Sequence, residues 1–257
     1  MPSEKSIEEY KRIIQRIKTK ETDFKNVEKI RKIIEYKQDG TPYARSSSKL
    51  MLCAVMYHLK ENNINIPEYT DLYNKYKQEI VPEHDKDDEF VEWSVLSLLY
   101  KDVKNIKDKV ILALYTLFPP RRNDYTNMLV VDTFDKTKAD TQNYLVVLGD
   151  TMFFVFNEYK TAKTYGSQTF SVPKELDAIL RPYARVGSPL FDMTDKYFSE
   201  YLARLTFSCV EKRVSINGFR HSFISHFLSG KPTPQERQSI SNMMSHSLIT
   251  QILYERH

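Results

Sequence analysis

Glycine, cysteine and long apolar runs are scarce in this 257-residue sequence, and each scarcity argues against a class of protein. Six glycines beside 41% apolar residues favour a folded, helix-rich chain over a disordered one. Two cysteines, Cys53 and Cys209, lie in apolar segments and indicate buried thiols in a reduced compartment rather than a disulfide framework. The longest apolar runs stop well short of the roughly 20 residues that a membrane span needs. We therefore expect a soluble, intracellular protein that is not secreted and does not contact a membrane.

Neither the net charge nor the number of metal-binding residue types indicates a function on its own. Lys and Arg number 38 against 34 acidic residues, so the net charge is +4 and the isoelectric point is about 8.8. This mild excess is weak evidence for nucleic-acid binding. The six histidines and two cysteines show no spacing typical of zinc ligands. We expect neither a metal nor a small-molecule cofactor.

The first eighty residues have the apolar spacing of four helices. These segments are SIEEYKRIIQRI, NVEKIRKIIEYKQDG with a stop at Gly40, SSSKLMLCAVMYHLKENN with its serines as caps, and YTDLYNKYKQEI. The acidic segment VPEHDKDDEF lacks this spacing and predicts a linker around residues 80–90. We place a helical domain at residues 1–82 and a second domain at residues 83–257.

The first sixty residues carry many Lys and Arg, and nine of them form a candidate group. Singly, each is typical of a solvated helix face. As a group they could follow the phosphates of a DNA backbone, which position a protein without reading the base sequence. The nine are Lys11, Arg12, Arg16, Lys18, Lys20, Lys25, Arg31, Lys32 and Lys37.

The rest of the chain combines helices with a small sheet. VEWSVLSLLYKDV and KDKVILALYTLF are predicted to be core helices. TQNYLVVLGDTMFFVFNEYK and TFSVP are rich in β-branched and aromatic residues, which indicates antiparallel strands. Helical spacing returns from SVPKELDAILRPYAR onward. The predicted fold class is α+β, mainly α with one small antiparallel sheet.

Two segments of this region carry basic residues suited to phosphate. In LYTLFPPRRNDYTNML, the prolines are expected to end one helix and begin the next, which would put Arg121 and Arg122 at a helix N-terminus that favours anions. Asp124 could orient one of these arginines. In FNEYKTAKTYGSQTFSVP, Lys160 and Lys163 lie on a predicted hairpin turn, where an ammonium could donate a proton to a leaving oxygen. Taken alone, each segment is more typical of an ordinary exposed surface.

The last forty residues contribute the other candidates. In INGFRHSFISHF, Arg220 stands on the rim of an apolar helix stripe, beside His221, and an arginine at a buried edge needs an anion. In NMMSHSLITQILYERH, His246 and Tyr254 are eight positions apart, so one short helix could present both to the same site.

Together these residue types describe a reaction centre for phosphate esters. A Tyr hydroxyl, with an ordinary pKa near 10, is a poor nucleophile until cations stabilise the phenolate and the charge that develops on the phosphoryl oxygens. Two arginines and a histidine would supply that stabilisation by preorganised electrostatics. A lysine would protonate the departing oxygen.

In this order, the segments PPRRNDY, YKTAKTYG, INGFRHSF and MSHSLITQILY resemble the tyrosine recombinase (phage integrase-like) superfamily over roughly residues 90–257. The family's first arginine box usually runs Arg-x-x-Glu or Arg-x-x-Asp, which selects Arg121 with Asp124 over Arg122. Its lysine is commonly followed by Thr, which selects Lys160 over Lys163.

The remaining family residues map onto the end of the chain. Arg220, His246 and Tyr254 match the second arginine, the oxyanion-side donor and the nucleophile. The family's second box usually begins with histidine, where this sequence has Asn217, whose amide can still donate to a phosphate oxygen.

The resemblance implies a C-shaped clamp around double-stranded DNA, in which residues 1–82 would be the DNA core-binding domain and residues 83–257 the catalytic domain. Tyr254 would attack a phosphodiester, form a 3′-phosphotyrosyl link and free a 5′ hydroxyl, and a homo-tetramer would exchange strands between two DNA ends. The source would be a mobile element or a large DNA virus that integrates its genome. Only three residues follow Tyr254, so assembly would use a surface other than the usual C-terminal segment, or a native tail is missing.

Three alternatives stay open. A type IB topoisomerase uses the same residue types but nicks and reseals DNA as a monomer. A DNA-binding relative that no longer cleaves would bind duplex DNA equally well without Tyr254. A helical interaction protein would leave the ordered spacing of the four segments unexplained.

Overall fold

The structure is a computed structural model that describes residue 2 and residues 4–79, 90–126, 128–134, 141–248 and 250–251. The chain divides into two compact units, Met1–Glu83 and His84–His257. Tyr254 lies outside the described residues, and so does the predicted linker apart from Phe90. Within these ranges, no helix is both long and apolar enough to cross a lipid bilayer.

The first unit contains the four predicted helices. They are α1 (Glu4–Lys18), α2 (Val27–Glu35), α3 (Arg45–Glu61) and α4 (Pro67–Glu79). The central helix α3 packs against the other three, and its fully buried side chains Leu52, Ala54 and Val55 lie in one apolar core with Ile30 and Ile34 of α2. This burial is the main source of stability for helices of this length.

Two helix boundaries in this unit differ from the prediction. The N-cap of α3 is Ala44, whose side chain makes no capping hydrogen bond, so the serines lie inside the first turn instead of capping the helix. Helix α2 ends at Glu35, well before Gly40, because Tyr36 leaves the helix in an extended conformation and forms a β-bridge with Pro42. Tertiary pairing therefore ends α2 before its glycine is reached.

The second unit surrounds the buried helix α7 (Ile106–Thr116). Every side chain from Val110 to Tyr115 is fully buried. The VEWSVLSLLYKDV segment forms two short helices, α5 (Trp93–Leu96) and α6 (Leu99–Asp102), instead of one. The later helices are α8 (Ala162–Tyr165), α9 (Lys174–Leu180), α10 (Asp195–Val210), α11 (Ile216–Ser229) and α12 (Pro234–Met243).

A four-stranded mixed sheet completes this unit and confirms the predicted fold class. Its strands, in spatial order, are β1 (Met128–Val131), β2 (Asn143–Leu148), β3 (Thr151–Phe156) and β4 (Gln168–Ser171). The two predicted antiparallel pairs, β2 with β3 and β3 with β4, are present. Strand β1 was not predicted, and it pairs parallel with β2.

The prediction of buried thiols is wrong for Cys209. This residue is exposed in the last turn of α10, next to Phe207, which is also exposed. The apolar run at the end of α10 therefore faces outward instead of into the core. Cys53 of α3 is partly buried, and burial raises the pKa of its thiol.

Candidate active site

Arg121 is fully buried in the turn that joins α7 to β1. Its Nε atom donates to Oδ2 of Asp124 at 2.7 Å, and Nη1 donates to the carbonyl oxygen of Met243 at 2.6 Å. The guanidinium lies over the Phe156 ring, with Cζ 3.8 Å from the ring centroid. Two edges and one face of the planar group are therefore fixed, which only an arginine can provide.

The predicted helix N-terminus at Arg121 and Arg122 is wrong. Helix α7 ends at Thr116, and residues 121–126 form bends and turns before β1. The carbonyl oxygen of Arg122 accepts a hydrogen bond from the Tyr115 hydroxyl at 2.9 Å, which ties this turn to α7. An anion here would meet guanidinium groups instead of a row of backbone N–H groups.

One nitrogen of the buried Arg121 guanidinium is not hydrogen bonded within the described residues. Its Nη2 atom is buried and has no hydrogen-bond partner there. Leaving a charged donor buried without an acceptor costs free energy, more than for a neutral group. An anionic oxygen at this position would remove that cost.

Arg220 is buried in the second turn of α11, whose start is capped by Ser215. Nη1 donates to the carbonyl oxygen of Pro120 at 2.6 Å, and both Nη atoms lie 3.3 Å from the carbonyl oxygen of Met244. The expected position on the rim of the helix stripe is therefore wrong. Backbone carbonyl oxygens from two segments distant in sequence therefore replace water around the buried Arg220 charge.

His246 completes this cluster, because its Nδ1 atom lies 3.2 Å from Nη2 of Arg220. Arginine can only donate, so Nδ1 accepts, and the proton of the neutral ring is on Nε2. Burial, followed by the positive charges of Arg220 and Arg122, lowers the pKa of His246 to about 3. The imidazole is therefore neutral at physiological pH and presents an Nε2–H donor.

Both arginines are held by the same short stretch of chain, residues 241–246, here called the histidine segment. It covers the end of α12 and the turn before His246, and it supplies the Met243 and Met244 carbonyl oxygens that bind Arg121 and Arg220. The Ser241 hydroxyl donates to the carbonyl oxygen of His246 and closes the turn. His246 itself follows α12 in a turn instead of lying on a helix.

The two candidate lysines lie in the connection between β3 and β4, residues 157–167, here called the lysine hairpin. Lys160 and Lys163 are both exposed, and Lys163 belongs to α8. Thr161, next to Lys160, donates from its hydroxyl to the carbonyl oxygen of Ser245 at 3.0 Å. Lys160 is therefore adjacent to a direct link between the lysine hairpin and the histidine segment.

The supporting candidates lie around the two buried arginines. Arg122 is half-buried, and its charge contributes to lowering the pKa of His246. Asn217 is exposed in the first turn of α11, three residues before Arg220, so both lie on the same side of that helix. His221 is partly buried on α11.

Gln168 also belongs to the cluster, although no sequence pattern predicted it. Its Oε1 atom accepts from Nη1 of Arg121 at 3.2 Å and from the Ser245 hydroxyl at 3.0 Å. Its Nε2 atom donates to the carbonyl oxygen of Asn242 at 3.2 Å. A glutamine at the start of a strand has no local signature of such contacts.

In the part of the chain that the structure describes, no three or more histidine, cysteine or carboxylate side chains are grouped to hold a metal ion. Asp124, the carboxylate closest to the cluster, pairs with Arg121.

Similarity to known proteins is found in the backbone structure and not in the sequence. No family model and no curated protein match the sequence. Among solved structures, the chain is similar to a XerA recombinase, with 14% identity and a TM-score of 0.46 over 100% of this chain and 89% of that chain. It is also similar to the Tn1549 transposon integrase in complex with circular intermediate DNA, with 14% identity and a TM-score of 0.40 over 98% of this chain and 95% of that chain. Since both TM-scores are below 0.5, the functional proposal rests on side-chain geometry.

Proposed function

We propose that the protein is a tyrosine recombinase that cleaves and rejoins double-stranded DNA through a covalent 3′-phosphotyrosyl intermediate at Tyr254. The observation that carries this proposal is the convergence of Arg121 and Arg220, from two distant parts of the sequence, on the histidine segment that contains His246. Two buried cations beside a neutral histidine donor suit an anion with several oxygens.

Each residue has a distinct part in the proposed reaction. The Tyr254 hydroxyl releases its proton to water as its oxygen bonds to phosphorus and the bond from phosphorus to the 5′ oxygen breaks. Nη2 of Arg121 and Nε2–H of His246 donate to non-bridging oxygens, and a donor of this kind contributes about 10²- to 10³-fold in rate. Arg220 fixes the orientation of His246 and adds positive charge. Lys160 transfers a proton to the departing 5′ oxygen, and a 5′ hydroxyl on a second strand reverses the step.

Phosphate contacts outside the site would come partly from the first unit. Of the nine basic residues there, only Arg12 and Arg31 pair with a carboxylate within the described ranges. Lys11 and Lys18 are exposed two turns apart on α1, and they line one groove together with Tyr57 and His58 of α3. Basic and aromatic side chains along one groove suit a nucleic-acid backbone.

The remaining parts of the proposal concern assembly and location. A homo-tetramer on DNA would bring two pairs of ends together for integration or recombination of a mobile or viral element. The reaction as written requires neither a metal nor a small-molecule cofactor. We expect DNA to be the partner and the protein to act on it inside a cell.

Covalent trapping in EDTA tests this proposal. Wild type and Tyr254→Phe would be incubated with a pool of nicked duplexes of randomised sequence, in which a short strand next to the nick diffuses away after cleavage. We expect a denaturant-resistant protein–DNA adduct with wild type alone. Equal DNA binding by both proteins without an adduct would contradict the proposal and support a DNA-binding protein that does not cleave.

Duplexes recovered from the covalent adducts of the randomised pool then distinguish a recombinase from a type IB topoisomerase. Joining of strands between two selected duplexes is expected for a recombinase. Relaxation of a supercoiled plasmid without strand exchange would support a type IB topoisomerase instead.

A further inference from the structure

The lysine hairpin is attached to the histidine segment at its base as well as at Thr161. The base is formed by Phe156 and Gln168, which are paired across β3 and β4. Phe156 lies under the Arg121 guanidinium, and Gln168 accepts from its Nη1. One strand pair therefore supports Arg121 and begins the loop that carries both lysines.

The Gln168 side chain uses three hydrogen bonds to connect these parts. Its single oxygen accepts from Arg121 and from Ser245, and its single nitrogen donates to the carbonyl oxygen of Asn242. The orientation of the amide follows from these neighbours, because the reverse orientation would set N–H groups against Arg121 and an oxygen against a carbonyl. A carboxylate would lose the donor, and a shorter or apolar side chain would lose all three bonds.

We propose that Gln168 is a positioning residue that couples the lysine hairpin to Arg121 and to the histidine segment, and so sets the distance between the proton donor and the phosphate site. The catalytic part of this inference rests on the proposed function. Reactions of this type depend steeply on alignment, and a misplacement of about 1 Å can cost about 10²-fold in rate. A displacement of Gln168 would affect both the phosphate site at Arg121 and the proton donor on the lysine hairpin.

Hydrogen exchange tests the coupling without requiring activity. The amides of Ser245 and His246 are bonded to Asn242 and Ser241, and those of Thr164 and Gly166 are bonded within the lysine hairpin, so both regions have amides that report local opening. In Gln168→Ala, we expect faster exchange in both regions together and unchanged exchange in α7. The matched control is Thr169→Ala, the exposed neighbour on β4, which should exchange like wild type. Wild-type exchange in the histidine segment of Gln168→Ala would overturn the proposal.

Single-turnover cleavage tests the catalytic consequence. At saturating DNA, we expect Gln168→Ala to cleave about 10²-fold more slowly, with an unchanged Kd for DNA. Because Ser245 contacts the same Gln168 oxygen, the Gln168→Ala/Ser245→Ala double variant should cleave no more slowly than Gln168→Ala alone. Loss of DNA affinity with an unchanged cleavage rate, or fully additive losses, would contradict a positioning role. If wild type forms no adduct, the proposed function fails, and the exchange experiment still decides whether the coupling exists.

Discussion

Nη2 of Arg220 lies 3.2 Å from Nδ1 of His246, and this one contact determines which ring nitrogen carries the proton. A guanidinium always donates, so the lone pair of Nδ1 is occupied and the Nε2–H is preserved. The same cation, together with burial, prevents protonation of the ring. Arg220 thereby keeps His246 as a neutral donor whose charge does not change near neutral pH.

The depressed pKa of His246 predicts a specific loss of stability in acid. The unfolded state, with an ordinary pKa near 6.5, binds a proton that the folded state does not bind until about pH 3. This contribution is present above about pH 6.5 and is lost as the pH falls. Between pH 7 and pH 5 we expect wild type to lose about 2 kcal/mol relative to His246→Gln, whose amide oxygen can accept from Arg220 and whose NH₂ group can replace the Nε2–H donor.

Urea unfolding measures this difference in the unit that contains the site. Trp93 is the single tryptophan of the chain and is buried in the core of the second unit, so its fluorescence follows that unit. Parallel pH profiles for wild type and His246→Gln would show that the imidazole is not held neutral.

Arg121→Lys is expected to abolish most of the cleavage activity. Lysine keeps the charge but cannot donate to Asp124 and Met243 at once, and it offers no planar face to the Phe156 ring. We expect cleavage to slow by about 10²-fold or more. The matched control is Arg181→Lys, which alters a half-exposed, two-bond pair with Asp177 and should leave cleavage unchanged. Equal effects of the two substitutions in a single-turnover assay would contradict the assigned role of Arg121.

The proton donor can be identified with a substrate whose leaving atom is sulfur. A thiolate leaves without protonation, whereas an alkoxide does not. Lys160→Ala is expected to slow cleavage of normal DNA by about 10²- to 10⁴-fold and to cleave a duplex with a bridging 5′ sulfur at nearly the wild-type rate. Lys163→Ala, the matched control on the same hairpin, should cleave both duplexes normally. If the bridging sulfur restored cleavage by Lys163→Ala instead, Lys163 and not Lys160 would be the proton donor.

The first unit can be tested through the salt dependence of DNA binding. Replacing Lys11 and Lys18 by Gln should lower the slope of log K against log salt by about two, because each phosphate contact contributes about 0.9. Arg12→Gln on the same helix should change the slope less, since Arg12 already pairs with Glu9 at 3.6 Å. Identical slopes for wild type and the double variant would remove this surface from the DNA contact.

Local sequence patterns predicted where most helices lie, but not all of their ends and not the site geometry. The helical spacing around Arg220 correctly predicted α11, because that spacing reflects a buried helix face. The turn at Arg121 could not be predicted, because its geometry depends on contacts with Met243, 122 residues away in sequence. Propensity at the prolines favoured a helix start, and tertiary contacts override such preferences.

Gln168 and strand β1 were missed for related reasons. Gln168 acquires its role only when β4 reaches Asn242 and Ser245, and neither contact leaves a mark in the local sequence. Strand β1 is four residues long and pairs parallel with β2, so it lacks the hairpin turn that revealed the other strands. Contacts distant in sequence, and not local propensity, determine these features.

The most direct test of the account is to identify the residue and the DNA end in the covalent adduct. Adduct formed in EDTA on the selected duplex would be digested with protease and nuclease, and the nucleotide-bearing peptide would be sequenced by mass spectrometry. We expect the modification on Tyr254, joined to a 3′ phosphate, with a free 5′ hydroxyl on the released strand. A nucleotide attached to any other residue, or a 5′-phosphate link, would contradict the proposed mechanism.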